Sequence, residues 1–510
     1  MTPSKPARPI RFFFDGKVVE VEGSATTRTV LQWLREDARR PGTKEGCAEG
    51  DCGACTVIVG EPAADGTLHL QTVNACIRLL PTLDGKALFT VEDVKPAADT
   101  LHPIQRALVD THASQCGYCT PGIVMSLTAS YERHLDANTR PTRQQLANDL
   151  AGNLCRCTGY KPILDAGERM FDAPAVRLDT SAALKALSTL SSEDFEYRAA
   201  SAADASCETT FHAPRSVAAL AALRLAKPDA RLIAGATDIG LWVNKQMRDL
   251  GDQIYLGEVA ELRNIETRNG VLSIGAGASL EEAWSALTSN WPVLKETWLR
   301  FASPPIRNAG TMGGNVANGS PIGDSMPVLI ALGANVVLMS KRSGKISHRE
   351  MPLEQLYTGY MTNQLLPGEF IQAIEVPLAA TADTLRVYKI TKRFDSDISA
   401  VLGAFRIARN GNSISDVRLV FGGMAATIKR AANAEAALRG QAYSEAAIEA
   451  AAEALAKDFE PISDMRASAA YRLEVSRNLL RRFWLETRPD DPLPAHEVSV
   501  WACDSEGGAK

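Results

Sequence analysis

Apolar and polar residues follow one another at the N-terminal end of the chain in a pattern that predicts a small β-rich domain. Two short apolar runs, residues 11–14 and 18–21, flank Asp15 and Gly16, a pair typical of a two-residue hairpin turn. Apolar residues then recur at helical spacing between Val30 and Ala38. A further strand is predicted at residues 56–59. This order of elements suggests one domain that ends near residue 90.

The next stretch changes to a helical pattern from about Leu101. Pro121 stands where a helix begins, because proline is favoured in the first helical turn. Another helix start is predicted at residues 161–164. Residues 176–206 are rich in Ala, Ser and Asp without clear apolar periodicity, and a linker is predicted there.

Beyond this linker the chain combines short strands with glycine-rich loops. A strand at residues 232–234 leads into a first loop at 235–240, and residues 309–315 form a second. Such loops let backbone N–H groups approach phosphate, although each loop alone is weak evidence. No G-x-G-x-x-G or Walker sequence occurs, so neither a Rossmann cofactor site nor a nucleotide triphosphatase is supported.

The C-terminal part predicts a separate α+β domain. Its strands are expected at residues 386–390, 400–408 and 416–421, and Ala-rich helices at about 431–457 and 467–484. The fold class is therefore multidomain α+β.

Composition agrees with a soluble multidomain protein. A length of 510 residues suggests about three or four domains, and a net charge of −5 without a basic stripe argues against nucleic acid as a partner. No apolar run approaches the roughly 20 residues of a membrane span; the longest candidate, residues 327–339, is expected to be buried core. With no signal-peptide segment at the N-terminus, unpaired thiols indicate the cytoplasm.

Eight of the ten cysteines fall into two groups within the first 160 residues. The first thiol group has the spacing C-x4-C-x2-C…C of plant-type [2Fe–2S] centres, and its members are Cys47, Cys52, Cys55 and Cys76. Glycines alternate with these cysteines, so the loop can adopt positive φ and turn N–H groups towards the sulfurs. Three cysteines in nine residues argue against merely structural thiols, and a four-cysteine zinc site is the stronger alternative.

The second thiol group consists of Cys116, Cys119, Cys155 and Cys157. Its short spacings also suit structural zinc, and its position beside the first group favours iron–sulfur. Both pairs precede predicted helix starts, where the helix dipole favours thiolate, and two facing helix-entry loops would build the site inside a helical bundle. Cys207 and Cys503 stand alone and are expected to be unliganded.

Three sequence motifs resemble the iron–sulfur domains of the molybdenum hydroxylases: GCAEGDCGACT at 46–56, QCGYCTPG at 115–122 and GNLCRCTGY at 152–160. The segments AGATD at 234–238, GTMGGN at 310–315 and SPIGD at 320–324 resemble the FAD domain of that family. The resemblance extends to about residue 490. Within the family the chain is most similar to the small subunits of bacterial xanthine dehydrogenases, in which both clusters and the flavin share one chain.

The resemblance implies a domain organisation. It consists of a β-grasp ferredoxin-like [2Fe–2S] domain at 1–90, a helical-bundle [2Fe–2S] domain at 91–175, the linker at 176–206, a two-subdomain α+β FAD-binding domain at 207–379, a C-terminal α+β domain at 380–492 and a tail at 493–510.

The resemblance also implies the residues that bind FAD. They are Leu232, Ile233, Ala234, Gly235, Ala236, Thr237, Asp238, Ile239, Phe301, Thr311, Met312, Gly313, Gly314, Asn315, Asp324, Ile371 and Lys389. In this family, the segment at 393–398 corresponds to a loop that borders the flavin where NAD+ docks. Gln115 matches a residue beside the molybdopterin cofactor, at the interface with the large subunit.

The implied function is electron transfer in an NAD-dependent xanthine dehydrogenase. A large molybdenum-binding partner, expected in an α2β2 heterotetramer, would oxidise the purine, because the chain lacks the molybdenum domains and has no catalytic residue of its own for that step. Electrons would pass from the second cluster to the first and on to FAD and NAD+. Two alternatives stay open: a partner that hydroxylates an aldehyde or another N-heterocycle, and a zinc-stabilised assembly protein without enzymatic activity.

Overall fold

The structure, a computed structural model, describes residues 7–63, 65–96, 100–190, 193–342, 344–379 and 384–499. Cys503 lies outside these residues. The chain divides into two compact units. The first comprises Met1–Leu262, Ser279–Glu281 and Ser303–Thr311, and the second comprises Arg263–Ala278, Glu282–Ala302 and Met312–Lys510.

The first unit begins with a five-stranded sheet covered by one helix. The elements are β1 (Ile10–Phe14), β2 (Lys17–Val21), α1 (Val30–Glu36), β3 (Thr56–Pro62), β4 (Leu68–Asn74) and β5 (Ala87–Phe89). The strand order is β2-β1-β5-β3-β4, and β1 runs parallel to β5. This is the predicted ferredoxin-like fold.

The hairpin and the helix of this domain follow directly from the sequence pattern. Asp15 and Gly16 both have positive φ, 52° and 76°, as a two-residue hairpin turn between β1 and β2 requires. On one face of β1, the rings of Phe12 and Phe14 contact the Trp33 ring of α1 edge-on, with centroids 5.1 and 5.2 Å from that of Trp33. Aromatic pairs in this geometry add stability beyond the area they bury.

A helical region follows, and both predicted helix starts are confirmed. Its helices are α2 (Pro103–Asp110), α3 (Thr120–Asp136), α4 (Arg143–Asp149), α5 (Lys161–Arg169) and α6 (Ser181–Leu187). A mixed four-stranded sheet of order β6-β7-β9-β8 completes the unit, with β6 (Phe195–Ala200), β7 (Glu208–Ala213), α7 (Val217–Ala226), β8 (Arg231–Ile233), α8 (Ile239–Asn244) and β9 (Gln253–Tyr255).

The segment predicted to be a linker is structured, which corrects the sequence interpretation. Residues 176–206 contain α6 and β6, and β6 pairs with β7 over six residues. The missed signal is a period-two alternation, because Phe195, Tyr197 and Ala199 are buried while the residues between them are not.

The second unit contains an antiparallel five-stranded sheet, a short hairpin and an antiparallel four-stranded sheet. The strands are β10 (Ile265–Arg268), β11 (Val271–Gly275), β12 (Asn335–Arg342), β13 (Lys345–Pro352), β14 (Tyr357–Gly359), β15 (Thr362–Asn363), β16 (Phe370–Pro377), β17 (Thr384–Ile390), β18 (Val401–Asn410), β19 (Ser413–Gly422) and β20 (Lys429–Arg430). The strand orders are β10-β11-β16-β12-β13 and β17-β18-β19-β20.

The remaining helices are α9 (Leu280–Asn290), α10 (Lys295–Arg300), α11 (Pro304–Ala309), α12 (Met312–Asn318), α13 (Ser325–Leu332), α14 (Ala432–Leu438), α15 (Glu445–Asp458), α16 (Ala469–Thr487) and α17 (Ala495–Val498). The helix α11 belongs to the first unit. Every residue of α13 is buried, as expected of the apolar run at 327–339. No helix in the described ranges combines the length and the apolar character that a membrane crossing needs.

Two further expectations need correction. The predicted helix at 431–457 is two helices, α14 and α15, because the chain turns between them at Gly440, whose φ of 77° is left-handed. The second glycine-rich loop is mostly helical: α11 ends at Ala309 and α12 begins at Met312. The three predicted C-terminal strands are present as β17, β18 and β19.

Candidate functional site

The first thiol group lies in the loop between α1 and β3, with its fourth member just after β4. The loop turns through left-handed conformations at Ala48, Gly50 and Gly53. The Cys47 thiol contacts those of Cys52 and Cys76. Cys76 in turn contacts Cys55, so the four sulfurs form one continuous group.

Backbone N–H groups point into this group, as predicted. The N–H groups of Glu49 and Cys52 donate to Cys47 Sγ at 3.5 and 3.4 Å. Hydrogen bonds from the Cys52 and Cys76 thiols, together with these N–H groups, lower the pKa of Cys47. The same thiol contacts and burial raise the pKa of Cys52 and Cys76. Four thiols with N–H donors aimed at sulfur are the donor set of a [2Fe–2S] centre.

The second thiol group lies where α3 and α5 begin. Cys157 Sγ lies 3.7 Å from Cys116 Sγ, and the Cys119 and Cys155 thiols share a hydrogen bond. Burial and the Cys155 thiol raise the pKa of Cys119 to about 12, whereas hydrogen bonds with Thr158 outweigh burial and lower the pKa of Cys155. These four thiols also fit a [2Fe–2S] centre.

In the second group the thiols contact one another in two pairs, Cys116 with Cys157 and Cys119 with Cys155. Across the described residues, no set of three or more His, Cys, Asp or Glu side chains is arranged to hold a metal ion as it stands. None of the nine described cysteines forms a disulfide, and Cys207 is exposed, with its thiol directed at Asp204.

The two cysteine loops are in direct contact within the first unit. The N–H of Leu154 donates to Cys52 O at 3.0 Å. Asn153, only 4% exposed, donates through Nδ2 to Gly53 O at 3.2 Å and accepts at Oδ1 from Ser126 at 2.7 Å. A side chain at Gly53 would collide with Asn153, so glycine is needed for this close approach. The sequence motif contained Asn153, but its role was not predicted.

The first thiol group is also linked to the glycine-rich part of the unit. Asn244, the last residue of α8, donates through Nδ2 to Cys76 O at 2.7 Å and to Ala48 O at 3.1 Å. Nothing in the local sequence signals this contact, because the partners are 168 and 196 residues away.

The first predicted flavin segment, residues 232–239, consists of β8 and the turn that leads into α8. Ala236 has a left-handed φ of 58°, and burial raises the pKa of Asp238. The absent Cβ of Gly235 would meet the carbonyl oxygen of Ala309, so protein backbone already occupies that space. Packing within this unit therefore explains why residue 235 is glycine, without reference to a cofactor.

The second predicted flavin segment is Thr311 followed by the first turn of α12. Gly313 packs against Ala276, while Gly314 is exposed. The Asn315 Oδ1 atom is buried and has no hydrogen-bond partner among the described residues. A buried acceptor without a donor is costly, and a hydroxyl or N–H of a bound flavin would satisfy it.

Asp324 and Lys389 are brought together in the second unit. The Lys389 Nζ atom donates to Asp324 Oδ2 at 2.5 Å, and both side chains are almost completely buried. Ile371 lies in β16 opposite Leu338, and the Phe301 ring packs against Trp284 at 5.8 Å. These residues fit a flavin site, since a buried lysine with N–H capacity to spare suits an anionic or carbonyl-rich ligand.

The segment at 393–398 forms an exposed loop between β17 and β18. Arg300, a residue that the sequence did not single out, holds the start of this loop. Its guanidinium lies 4.3 Å from the centre of the Phe394 ring and donates to Phe394 O at 3.0 Å and to Lys389 O at 3.1 Å. The Arg300 side chain is 9% exposed, so these contacts are made largely away from water.

Four protein families match the chain in succession. The 2Fe-2S iron-sulfur cluster binding domain matches residues 12–79, and the [2Fe-2S] binding domain matches residues 90–168. The FAD binding domain in molybdopterin dehydrogenase matches residues 205–379, and the CO dehydrogenase flavoprotein C-terminal domain matches residues 386–487. The fold and the sites therefore define an iron–sulfur flavoprotein of the oxidoreductase class.

Relatives and solved structures agree with this class. The xanthine dehydrogenase of Emericella nidulans is 34% identical over 93% of this chain, which spans 38% of that relative's length. The xanthine dehydrogenase of Drosophila subobscura is 32% identical over 82% of this chain and 34% of its own length. The chain thus spans little more than a third of these curated relatives.

Two solved structures share half of the fold. A carbon monoxide dehydrogenase chain from Hydrogenophaga pseudoflava is 29% identical with a TM-score of 0.50, covering 53% of this chain and 94% of its own. A chain of quinoline 2-oxidoreductase from Pseudomonas putida is 25% identical with a TM-score of 0.50, covering 56% and 98%. The chain belongs to the molybdenum hydroxylase family and is homologous to the N-terminal part of the xanthine dehydrogenases.

Proposed function

We propose that this chain is the electron-transfer subunit of a xanthine dehydrogenase. It passes electrons from hypoxanthine or xanthine hydroxylation, at a molybdenum site on a partner subunit, through two [2Fe–2S] clusters to FAD and then NAD+. The observation that carries the proposal is the contiguity of the sites: the second thiol group contacts the first through Leu154 and Cys52, and the first contacts α8 through Asn244.

In this proposal the chain's own residues place the redox groups. Cys47, Cys52, Cys55 and Cys76 hold one cluster, and Cys116, Cys119, Cys155 and Cys157 hold the other. When bound, the clusters supply one-electron transfer and the flavin exchanges electron pairs with NAD+. Hydrogen bonds to the sulfurs tune the potential of each cluster.

The surface around the second thiol group supports a partner interface. Cys116 and Cys157 are exposed. Near them in the sequence, Tyr118, Leu154 and Tyr160 are 49%, 41% and 41% exposed. Aromatic and large apolar side chains are enriched at interface cores, and their exposure on a free chain is costly. We propose that the molybdenum-binding large subunit docks here, with Gln115 at the interface, in an α2β2 heterotetramer.

The acceptor end of the proposal rests on the loop at 393–398. Phe394 and Ile398 are exposed in this loop, and Arg300 bonds to both Phe394 O and Lys389 O. These contacts support a position of the loop beside the proposed flavin ligand Lys389. NAD+ is proposed to bind there. The unpaired described cysteines support the cytoplasm as the compartment.

A second candidate is the same role beside a partner that oxidises an aldehyde or another N-heterocycle. The quinoline 2-oxidoreductase chain among the structural relatives favours keeping this candidate. The substrate pocket belongs to the partner, so xanthine and quinoline turnover by the assembled complex distinguishes the two.

The test separates the two half-reactions. The chain alone should contain about four iron atoms, should transfer electrons from NADH to a dye and should not oxidise xanthine. Addition of the large subunit should restore xanthine-dependent NAD+ reduction. Cys116→Ser should abolish that restored activity and one of two paramagnetic signals, but spare NADH–dye turnover, and Cys207→Ser is the matched thiol control. Xanthine oxidation by the isolated chain, or stoichiometric zinc, would contradict the proposal.

A further inference from the structure

A third residue completes the buried ion pair of Asp324 and Lys389. The Ser399 Oγ atom accepts from Lys389 Nζ at 2.9 Å and donates to Asp324 Oδ1 at 2.6 Å. Lys389 also donates to Asp324 Oδ2 at 2.5 Å, so the three side chains form a closed triangle of hydrogen bonds. Ser399 is 1% exposed.

The hydroxyl of Ser399 fits this position because it both donates and accepts. It satisfies one N–H of the ammonium and one oxygen of the carboxylate at once, which neither alanine nor a second charged group could do. A buried ion pair is tolerated only when further hydrogen bonds satisfy its charges. Ser399 therefore fixes the orientation of both charges.

The triangle leaves hydrogen-bonding capacity for a ligand. Lys389 has three N–H groups and uses two, and in the described part of the chain no acceptor for the third is present. Next to Asp324, the buried hydroxyl of Ser325 also lacks a hydrogen-bond partner among the described residues. Unsatisfied groups of this kind around one buried ion pair point to a polar ligand.

The backbone holds Ser399 firmly at the point where the exposed 393–398 loop ends. The next residue, Ala400, donates its N–H to Ile390 O at 2.8 Å. The carbonyl of Ala400 accepts from the guanidinium of Arg472, which is 1% exposed and also donates to Gly423 O at 2.9 Å. A rigid backbone gives the Ser399 hydroxyl a fixed place.

We propose that Ser399 is a positioning residue of the flavin site. It holds Asp324 and Lys389 in the geometry that binds FAD and attaches the 393–398 loop to that pair. The inference rests on the proposed function, because it takes these two residues as flavin ligands.

The test measures FAD binding by the full-length chain after flavin removal and reconstitution, followed by flavin fluorescence. Ser399→Ala leaves two buried charged groups one hydrogen bond short, so the dissociation constant for FAD should rise about tenfold to a hundredfold. Ser399→Thr keeps the hydroxyl and should restore binding to within about threefold of wild type. Ser476→Ala is the control, because Ser476 is equally buried in the same unit but bonds only to Arg472 O and Met424 Sδ.

The outcomes are distinct. Weaker FAD binding in Ser399→Ala alone, with rescue by Ser399→Thr, supports the inference. Equal FAD binding in Ser399→Ala and Ser476→Ala overturns it, as does failure of rescue in a folded Ser399→Thr protein, and both leave the proposed function intact. If Ser399→Ala does not fold, Ser399→Cys, a weaker donor, should bind FAD less tightly than wild type, and unchanged binding there overturns the inference. A wild-type chain that binds no FAD refutes the proposed function itself.

Discussion

Replacement of Asn153 by alanine should loosen the junction between the two cysteine loops. Asn153 is almost completely buried and makes three side-chain hydrogen bonds there. Its Nδ2 donates to Gly53 O at 3.2 Å and to Thr56 Oγ1 at 3.3 Å, and its Oδ1 accepts from Ser126 at 2.7 Å. Cys155 of the second thiol group follows two residues later, so the position of this loop depends on the amide of Asn153.

The free-energy cost of Asn153→Ala follows from the hydrogen bonds that each partner of Asn153 retains. Gly53 O retains hydrogen bonds from the N–H and the hydroxyl of Thr56, at 3.1 and 2.7 Å, so it is not left unsatisfied. Ser126 loses the acceptor for its buried hydroxyl. One orphaned buried group together with the lost amide contacts should cost about 2 kcal/mol, or about 30-fold in the equilibrium between docked and undocked loop.

The assay is the rate at which a chelator removes iron from the purified chain, followed by the loss of iron–sulfur absorbance. When iron is lost through local opening, its rate of loss is proportional to the fraction of molecules with the loop undocked. Asn153→Ala should therefore lose the iron held by the second thiol group about 30-fold faster than wild type. The magnetic interaction between the two reduced clusters should weaken in the same variant. Asn153→Asp keeps the size but turns an oxygen towards Gly53 O, and it should be at least as damaging.

Gln144→Ala provides the control. Gln144 is an exposed amide of the same helical region, and among the described residues its side chain donates only to Asn148 Oδ1, in an exposed hydrogen bond. Chelation rates of Asn153→Ala and Gln144→Ala within about twofold of each other would refute the reasoning. They would show that the Leu154 N–H to Cys52 O contact holds the junction without the amide.

The other two predictions concern the flavin segment and the response to pH. Because Gly314 is exposed in α12, Gly314→Val should leave the iron content and folding unchanged but abolish flavin binding. The control Ala317→Val, on the same helix, should keep the flavin. Full flavin content in Gly314→Val would show that the cofactor binds elsewhere. Burial lowers the pKa of His102, whose neutral ring caps α2, so stability should be complete above about pH 6.5 and fall as the pH drops through the lower folded pKa. His102→Asn keeps a capping side chain, and melting temperatures should then fall less steeply on acidification; an unchanged slope would contradict this. Some slope should remain, because burial also lowers the pKa of His134 and His212.

Features that depend on neighbouring residues could be predicted from the sequence. The Asp15-Gly16 turn, the helix start at Thr120 and the three C-terminal strands rest on local backbone preferences, and the structure confirms them. The cysteine spacing predicted two thiol groups for the same reason. Cys47, Cys52 and Cys55, for example, lie within nine residues, so a single loop can bring their thiols together without help from distant parts of the chain. The break at Gly440 was missed because an Ala-rich pattern continues on both sides of the glycine.

Contacts between distant parts of the chain depend on the tertiary structure alone. Ser399 and Asp324 are 75 residues apart, and Asn244 and Cys76 are 168 residues apart. No local pattern encodes such pairs, because the conformational propensities of a serine or an asparagine do not depend on whether a distant residue will accept its hydrogen bond. The requirement for Gly235 likewise became clear only when the Ala309 carbonyl was found in the space of its missing side chain. By itself the sequence predicted iron–sulfur chemistry from the spacing of its thiols and an FAD domain from its resemblance to a known family. The packing of distant elements decided which polar side chains hold those sites in place.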